Sequence, residues 1–228
     1  MLELIIALFP GLSKSLSLTF FALFIGLLLS LFFTFILSFK IKFISFFILG
    51  YITIFTGTPL LVQFFLIYYG PNQFSFLQSS NTLWFLISSP WMCAMISLSL
   101  NSAAYCTLLF NGALKEIDNT IWQSCQALGL SHYQSLKIIL PYVFKRIILS
   151  YGNEVILVFK STGLASTITV LEIMGYSQQI FSQTYNIDVF IAAGIIYLFF
   201  NNMFAFLINR FSKYMLSFEK TSYKKDLY

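Results

Sequence analysis

The sequence predicts an all-α membrane protein: about five transmembrane helices, with a cytoplasmic helix-turn-helix between the third and the fourth. Three observations carry this. Only 9% of the 228 residues are charged and 58% are hydrophobic, whereas a soluble domain carries about 25% charge. Positions 43–114 contain no Asp, Glu, Lys, Arg or His, a run long enough for two spans of about 20 residues each and a polar turn. Within the stretch 113–141 the chain then turns amphipathic, carries its single histidine, His132, and ends on a proline.

Residues 1–14 are expected as a short periplasmic segment lying on the membrane surface. Leu4, Ile5, Leu8 and Leu12 share one face, which Pro10 interrupts. Spans follow at roughly 15–39, 46–69, 90–112, 147–168 and 189–209, each long enough to cross about 30 Å of hydrocarbon as a helix. The first run exceeds a signal-peptide core and no small-residue cleavage site follows it, so it reads as a retained span. Together, 15–210 make one transmembrane domain, and 211–228 a polar cytoplasmic tail, frayed from Glu219 onward.

Basic residues orient these spans. Lys40 and Lys42 follow span one. Lys115, Lys137, Lys145 and Arg146 separate spans three and four, and Arg210, Lys213, Lys220, Lys224 and Lys225 follow span five. All of these fall on one side, which is then the cytoplasm, leaving the N-terminus outside. The net charge of +5 is therefore an orientation signal and no nucleic-acid footprint. Cys93, Cys106 and Cys125 have no metal-ligand spacing, and a lone histidine makes no haem or metal site, so no cofactor is expected.

The cytoplasmic loop has its own helix signals. Asp118 or Asn119 can cap a helix start. Ile121, Cys125 and Leu128 share a face, and Gly129 suits a left-handed stop. Ser131 and Gln134 fit a capping box for a second short helix, which Pro141 closes or from which it leads into span four. The element is read either as a loop packed beneath its own spans or as a docking surface for a cytoplasmic protein.

Several motifs carry a resemblance. Gln123-Ser124-Cys125, three residues, Gly129, ten residues and Leu140-Pro141 resemble the Glu-Ala-Ala coupling loop of ABC-importer permeases, with the Glu-Ala-Ala lost and the spacing one residue short. Gly57-Thr58-Pro59-Leu60-Leu61-Val62-Gln63 and Lys160-Ser161-Thr162-Gly163-Leu164-Ala165-Ser166 resemble signatures of the polar amino-acid branch, with Gly163 replacing a hydroxyl. Thr56 before Gly-Thr-Pro, Leu100-Asn101-Ser102-Ala103-Ala104-Tyr105 and Asn153-Glu154-Val155 narrow the similarity to M-type permeases of bacterial arginine importers, over nearly the whole chain.

That resemblance implies a multi-pass inner-membrane subunit for arginine or other basic amino acids. It implies pairing with a homologous permease as a heterodimer, two ATP-binding subunits beneath, and a periplasmic arginine-binding protein above. The expected ATPase-coupling residues are Trp122, Gln123, Ser124, Cys125, Leu128, Gly129, Leu140 and Pro141. The chain has no GxxxxGK[ST] and so no phosphate cradle of that kind; it is expected to be no enzyme, with ATP hydrolysed by a partner. The alternative is a self-sufficient secondary transporter or channel, against which five spans without an inverted repeat argue.

Ionisable residues within spans cost about 2.5–3.5 kcal/mol and are candidates for the substrate path. These are Lys160, for a substrate carboxylate, and Glu154, for a cationic side chain. Beside Lys160, Thr162 and Gly163 suggest a loosened helix. Glu172 and Asp188 are expected near the outer mouth. Gly57-Thr58-Pro59 should kink span two, while Asn101, Asn201 and Asn202 should bond between helices.

Overall fold

The computed structural model describes residues 1–75, 84 and 88–225, with side chains up to residue 215. Most of the uncharged loop expected over 70–89 lies outside the described residues. The α-helices are α1 (Leu2–Ser38), α2 (Lys42–Gly57), α3 (Leu60–Tyr69), α4 (Pro90–Lys115), α5 (Asn119–Ala127), α6 (His132–Ser161), α7 (Ile173–Thr184) and α8 (Asp188–Lys225). Short 3-10 segments occupy Gly70–Gln73 and Thr162–Ile168. No strand occurs among the described residues.

Three helices, α1, α4 and α8, are each long and apolar enough to span a membrane. Two further spans arise if each bent pair counts as one: α2 with α3, bent by 108°, and α6 with its 3-10 extension and α7, bent by 47°. Helix α4 forms the centre: 67% of its apolar window is buried, against 17% for α8. Its buried face is built of small residues, among them Ala94, Ser97, Ser102, Ala103 and Thr107, which let neighbouring backbones approach closely. At the α1 crossing, a Cβ on Gly26 would sit 3.2 Å from Ser102 Cβ. The three cysteines are buried, as small hydrophobic residues are.

Three boundaries differ from the sequence reading. Residues 1–14 are no separate surface segment but the first turns of α1, which runs through Pro10. The face carrying Leu4, Ile5, Leu8 and Leu12 has found a partner, packing with Val189, Ala192 and Ile196 of α8 and Ile173 of α7. Burial of that face outweighs the single backbone bond that proline removes. Of the two readings of Pro141, the lead into span four holds and the stop does not. Helix α6 is continuous through it from His132 to Ser161, with Leu136, Ile139, Val143 and Ile147 packed as one stripe on either side of it. Helix α8 runs past residue 210 without a break, so the tail begins helical.

The break between α2 and α3 has a clear cause. Pro59 has no N–H to give to the carbonyl four residues back, that of Phe55. Two side-chain amides replace it. Gln63 Nε2 donates to Phe55 O at 2.8 Å and Asn101 Nδ2 to the same oxygen at 3.1 Å. Gln63 also donates to Thr58 Oγ1 at 2.9 Å and accepts from Asn101 at 3.1 Å. Asn101 thus bonds between helices as expected. Asn202, by contrast, donates to Leu198 O in its own helix, and the buried Asn201 Oδ1 has no partner among the described residues. Replacing Asn101 by Leu strips one donor from Phe55 O and one from Gln63, so a loss of about 1–2 kcal/mol is expected. A thermal shift of the purified protein measures it, and no change would remove Asn101 from the hinge.

Candidate functional site

The helix-turn-helix around Gly129 forms from local signals. Asp118 caps α5, its Oδ1 accepting from the Thr120 N–H at 2.9 Å and the Thr120 hydroxyl at 2.7 Å. These two bonds, the backbone one foremost, hold its carboxyl below its ordinary value. A depressed acid stabilises the fold above its unfolded value, near 3.9, and that contribution is lost as pH falls through the folded value. Protection of the Thr120 amide against hydrogen exchange, corrected for intrinsic rate, should therefore drop in acid. Asp118→Asn should cap at neutral pH and remove the acid dependence; an unchanged acid response would exclude Asp118 as its source.

Helix α5 stops in a left-handed turn. Gly129 has φ +72°. The Leu130 N–H bonds Cys125 O at 3.1 Å and the Gly129 N–H bonds Gln126 O at 2.9 Å, the paired pattern that satisfies the last carbonyls of a helix. Helix α6 then opens on a complete capping box. Ser131 Oγ accepts from the Gln134 N–H, and Gln134 Oε1 accepts from the Ser131 N–H at 2.8 Å.

The expected apolar face of α5 divides. Cys125 points into the protein at 6% exposure, whereas Ile121 is 38% exposed and Leu128, at the tip, is 77% exposed. Gln123 and Ser124 are exposed, Trp122 and Leu140 are half-buried, and Pro141 lies exposed on α6. The element therefore presents Leu128 and the glycine turn outward while Cys125 anchors it.

Its main anchor was not legible in the sequence. The His132 ring stacks on Trp122 at 5.4 Å with an interplanar angle of 11° and meets Phe39 edge-on at 4.9 Å. Its Nε2 lies 3.3 Å from Ser38 Oγ. One imidazole thus joins the end of α1 to both sides of the glycine turn. Only the presence of a lone polar aromatic residue hinted at it.

Within the spans, the expected path residues separate. Glu154 is buried, facing Ser102 and Cys106 of α4. Lys160 and Asp188 are exposed, at the end of α6 and the start of α8. Thr162 and Glu172 are buried and brought together by residues the sequence did not mark. Tyr197 of α8 lies against Thr162 and donates to Glu172 Oε2 at 3.0 Å. Ser15 of α1 donates to the same oxygen at 3.4 Å, and the Met174 and Gly175 N–H groups donate to the carboxyl at 2.9 and 2.8 Å. Glu172 is thus the cap of α7, wholly enclosed. Thr162 opens the 3-10 segment, the loosened helix expected beside Gly163. The approach of α1 is close: a Cβ on Gly11 would sit 2.7 Å from the backbone of Glu172 and Ile173. Gly11→Leu is expected to push α1 away and cost about 1–3 kcal/mol, read as a lower midpoint of thermal unfolding; an unaltered midpoint would contradict that contact.

A broken second span, an exposed glycine-turn tip and a bent fourth span define this membrane domain, and comparison with known proteins places it. The family of binding-protein-dependent transport system inner membrane components matches residues 25–216. The chain belongs to that family. It is a permease of an ABC importer. Among similar proteins, the arginine ABC transporter permease protein ArtM of Escherichia coli (strain K12) is 54% identical over 220 residues, covering 96% of this permease and 99% of that protein. ArtM of Haemophilus influenzae is 47% identical, covering 94% and 95% of the two chains. The nopaline transport system permease protein NocM of Agrobacterium fabrum is 40% identical, covering 87% and 85%. A crystal structure of an amino acid ABC transporter with histidines matches with a TM-score of 0.81 at 29% identity, over 93% of the permease and 96% of that chain. The MetNI methionine transporter, at 15% identity and a TM-score of 0.74 over 91% and 95% of the chains, shares the fold.

Proposed function

We propose that this permease forms half of the path for arginine, or a related basic amino acid, across the bacterial inner membrane. Its N-terminus is periplasmic and its C-terminus cytoplasmic. It pairs with a homologous permease, receives its substrate from a periplasmic binding protein and is driven by two ATP-binding subunits. The observation that carries this reading is the outward tip at Leu128 and Gly129, tied through His132 to the end of α1. An apolar knob on a braced turn suits a partner's groove, and the relatives named arginine permeases supply the substrate class.

In this reading, closure of the ATP-binding subunits pushes on α5. The stack through Trp122 and His132 passes the displacement to α1, and continuous α6 carries it to the 3-10 segment. Lys160 and Asp188, exposed in the single chain, are the residues that meet the substrate carboxylate and its cationic side chain. Glu154, Thr162 and Glu172 shape the path from behind. Reconstitution with the partner subunits in liposomes tests this. ATP-dependent uptake of labelled arginine, lowered by Lys160→Gln, is expected. Uptake by this chain alone would overturn the assignment, and uptake indifferent to Lys160 would remove that contact.

A further inference from the structure

A cavity of about 830 Å³ opens where the end of α1, the start of α2, the end of α4 and the α5–α6 element converge. Lys40, Lys42 and Lys115 line it, each from a different segment, together with Ser45, Trp122 and His132. The lining thus holds three lysines and no acidic side chain. Ser45 Oγ is buried and has no hydrogen-bond partner among the described residues. Helix α2 starts at the same place without a side-chain cap, so its first N–H groups also lack side-chain acceptors. Three lysines without an acid and a helix start without a side-chain cap favour a phosphate-type anion.

We propose that this cavity holds the phosphate of an acidic phospholipid headgroup from the cytoplasmic leaflet. Its surroundings favour a lipid over a soluble anion or a partner's carboxylate. The first turns of α2, which form one wall, carry Phe43 and Phe46, each 73% exposed, and Phe47, 59% exposed. These rings offer acyl chains an exposed apolar surface beside the cavity. The Leu128–Gly129 tip, where a protein partner would dock, takes no part in the lining. Because Trp122 and His132 form the opposite wall, the bound headgroup braces the stack that holds the tip. The inference rests on the orientation given under the proposed function.

The test uses the assembled complex, purified and exposed to vesicles of phosphatidylcholine with or without phosphatidylglycerol, with retained lipid counted by native mass spectrometry. Preferential retention of phosphatidylglycerol is expected. Each Lys→Gln change at 40, 42 or 115 should lower it by about fivefold, while the triple Lys→Arg variant should retain it. Equal retention by wild type and the triple Gln variant would overturn the site. Displacement of the lipid by millimolar inorganic phosphate would instead make it a free-anion site. Loss of the ATP-binding subunits from the triple Gln variant in both vesicle types would reassign it to that partner. The readout needs no transport: a complex that retains phosphatidylglycerol but takes up no arginine would sink the functional reading and leave this site standing.

Discussion

Gly129→Pro is expected to uncouple ATP hydrolysis from uptake while the permease still inserts and folds within the membrane. Gly129 sits at φ +72° and its N–H bonds Gln126 O. Proline fixes φ near −65° and has no N–H, a combination that costs about 3 kcal/mol or more. The population carrying the native turn then falls by about a hundredfold. Nothing lies within 4 Å of an added Cβ at this position, so the damage stays in the turn and does not reach the packing. Gly129→Asn is the control, because asparagine tolerates the left-handed region; it should keep most of the coupling. ATP hydrolysis stimulated by the loaded binding protein and arginine uptake are measured side by side in liposomes. Full coupling in the proline variant would show that the turn transmits nothing.

The second large effect is on stability. Glu172→Ala removes the acceptor for the Met174 and Gly175 N–H groups and for the Tyr197 and Ser15 hydroxyls at once. The carboxyl is fully enclosed, so water does not replace it, and each buried donor left unpaired costs about 1–3 kcal/mol. With at least two such donors stranded, a loss of roughly 3 kcal/mol or more is expected, with α7 loosened from α1 and α8. Scanning calorimetry of the solubilised protein reads the total. Tyr197→Phe removes a single donor together with its need for an acceptor and should cost about 1 kcal/mol or less; Ser15→Ala also removes the acceptor of the long bond from the Ile173 N–H, at 3.5 Å, and should cost slightly more. An alanine variant as stable as these would mean that the carboxyl does not hold the junction together.

Much of the fold was legible because its signals are local or compositional. The uncharged run over 43–114 already required membrane spans. Asp118, Gly129 and the Ser131–Gln134 pair act through backbone groups within a few residues, so their capping roles could be read from spacing. Pro59 announced a break, since the missing N–H is a property of the residue itself. Pro10, and Pro141 when read as a stop, misled for a matching reason. A proline weakens a helix locally, but the stripe Leu136, Ile139, Val143 and Ile147, and the face of Leu8 and Leu12, hold their helices together by burial against distant segments. No local signal reports that burial.

The membrane class, the kink at Pro59 and the glycine turn could be read from the chain alone, because hydropathy, backbone chemistry and capping operate over short distances along it. Only the tertiary structure decided which groups meet across long separations. Examples are Gln63 and Asn101 at the carbonyl that Pro59 leaves free, Ser15 and Tyr197 on Glu172, and His132 between Trp122 and Phe39. Each pairing depends on how helices cross, and the crossings are set by small residues such as Gly11 and Gly26 whose contacts lie far away in the chain.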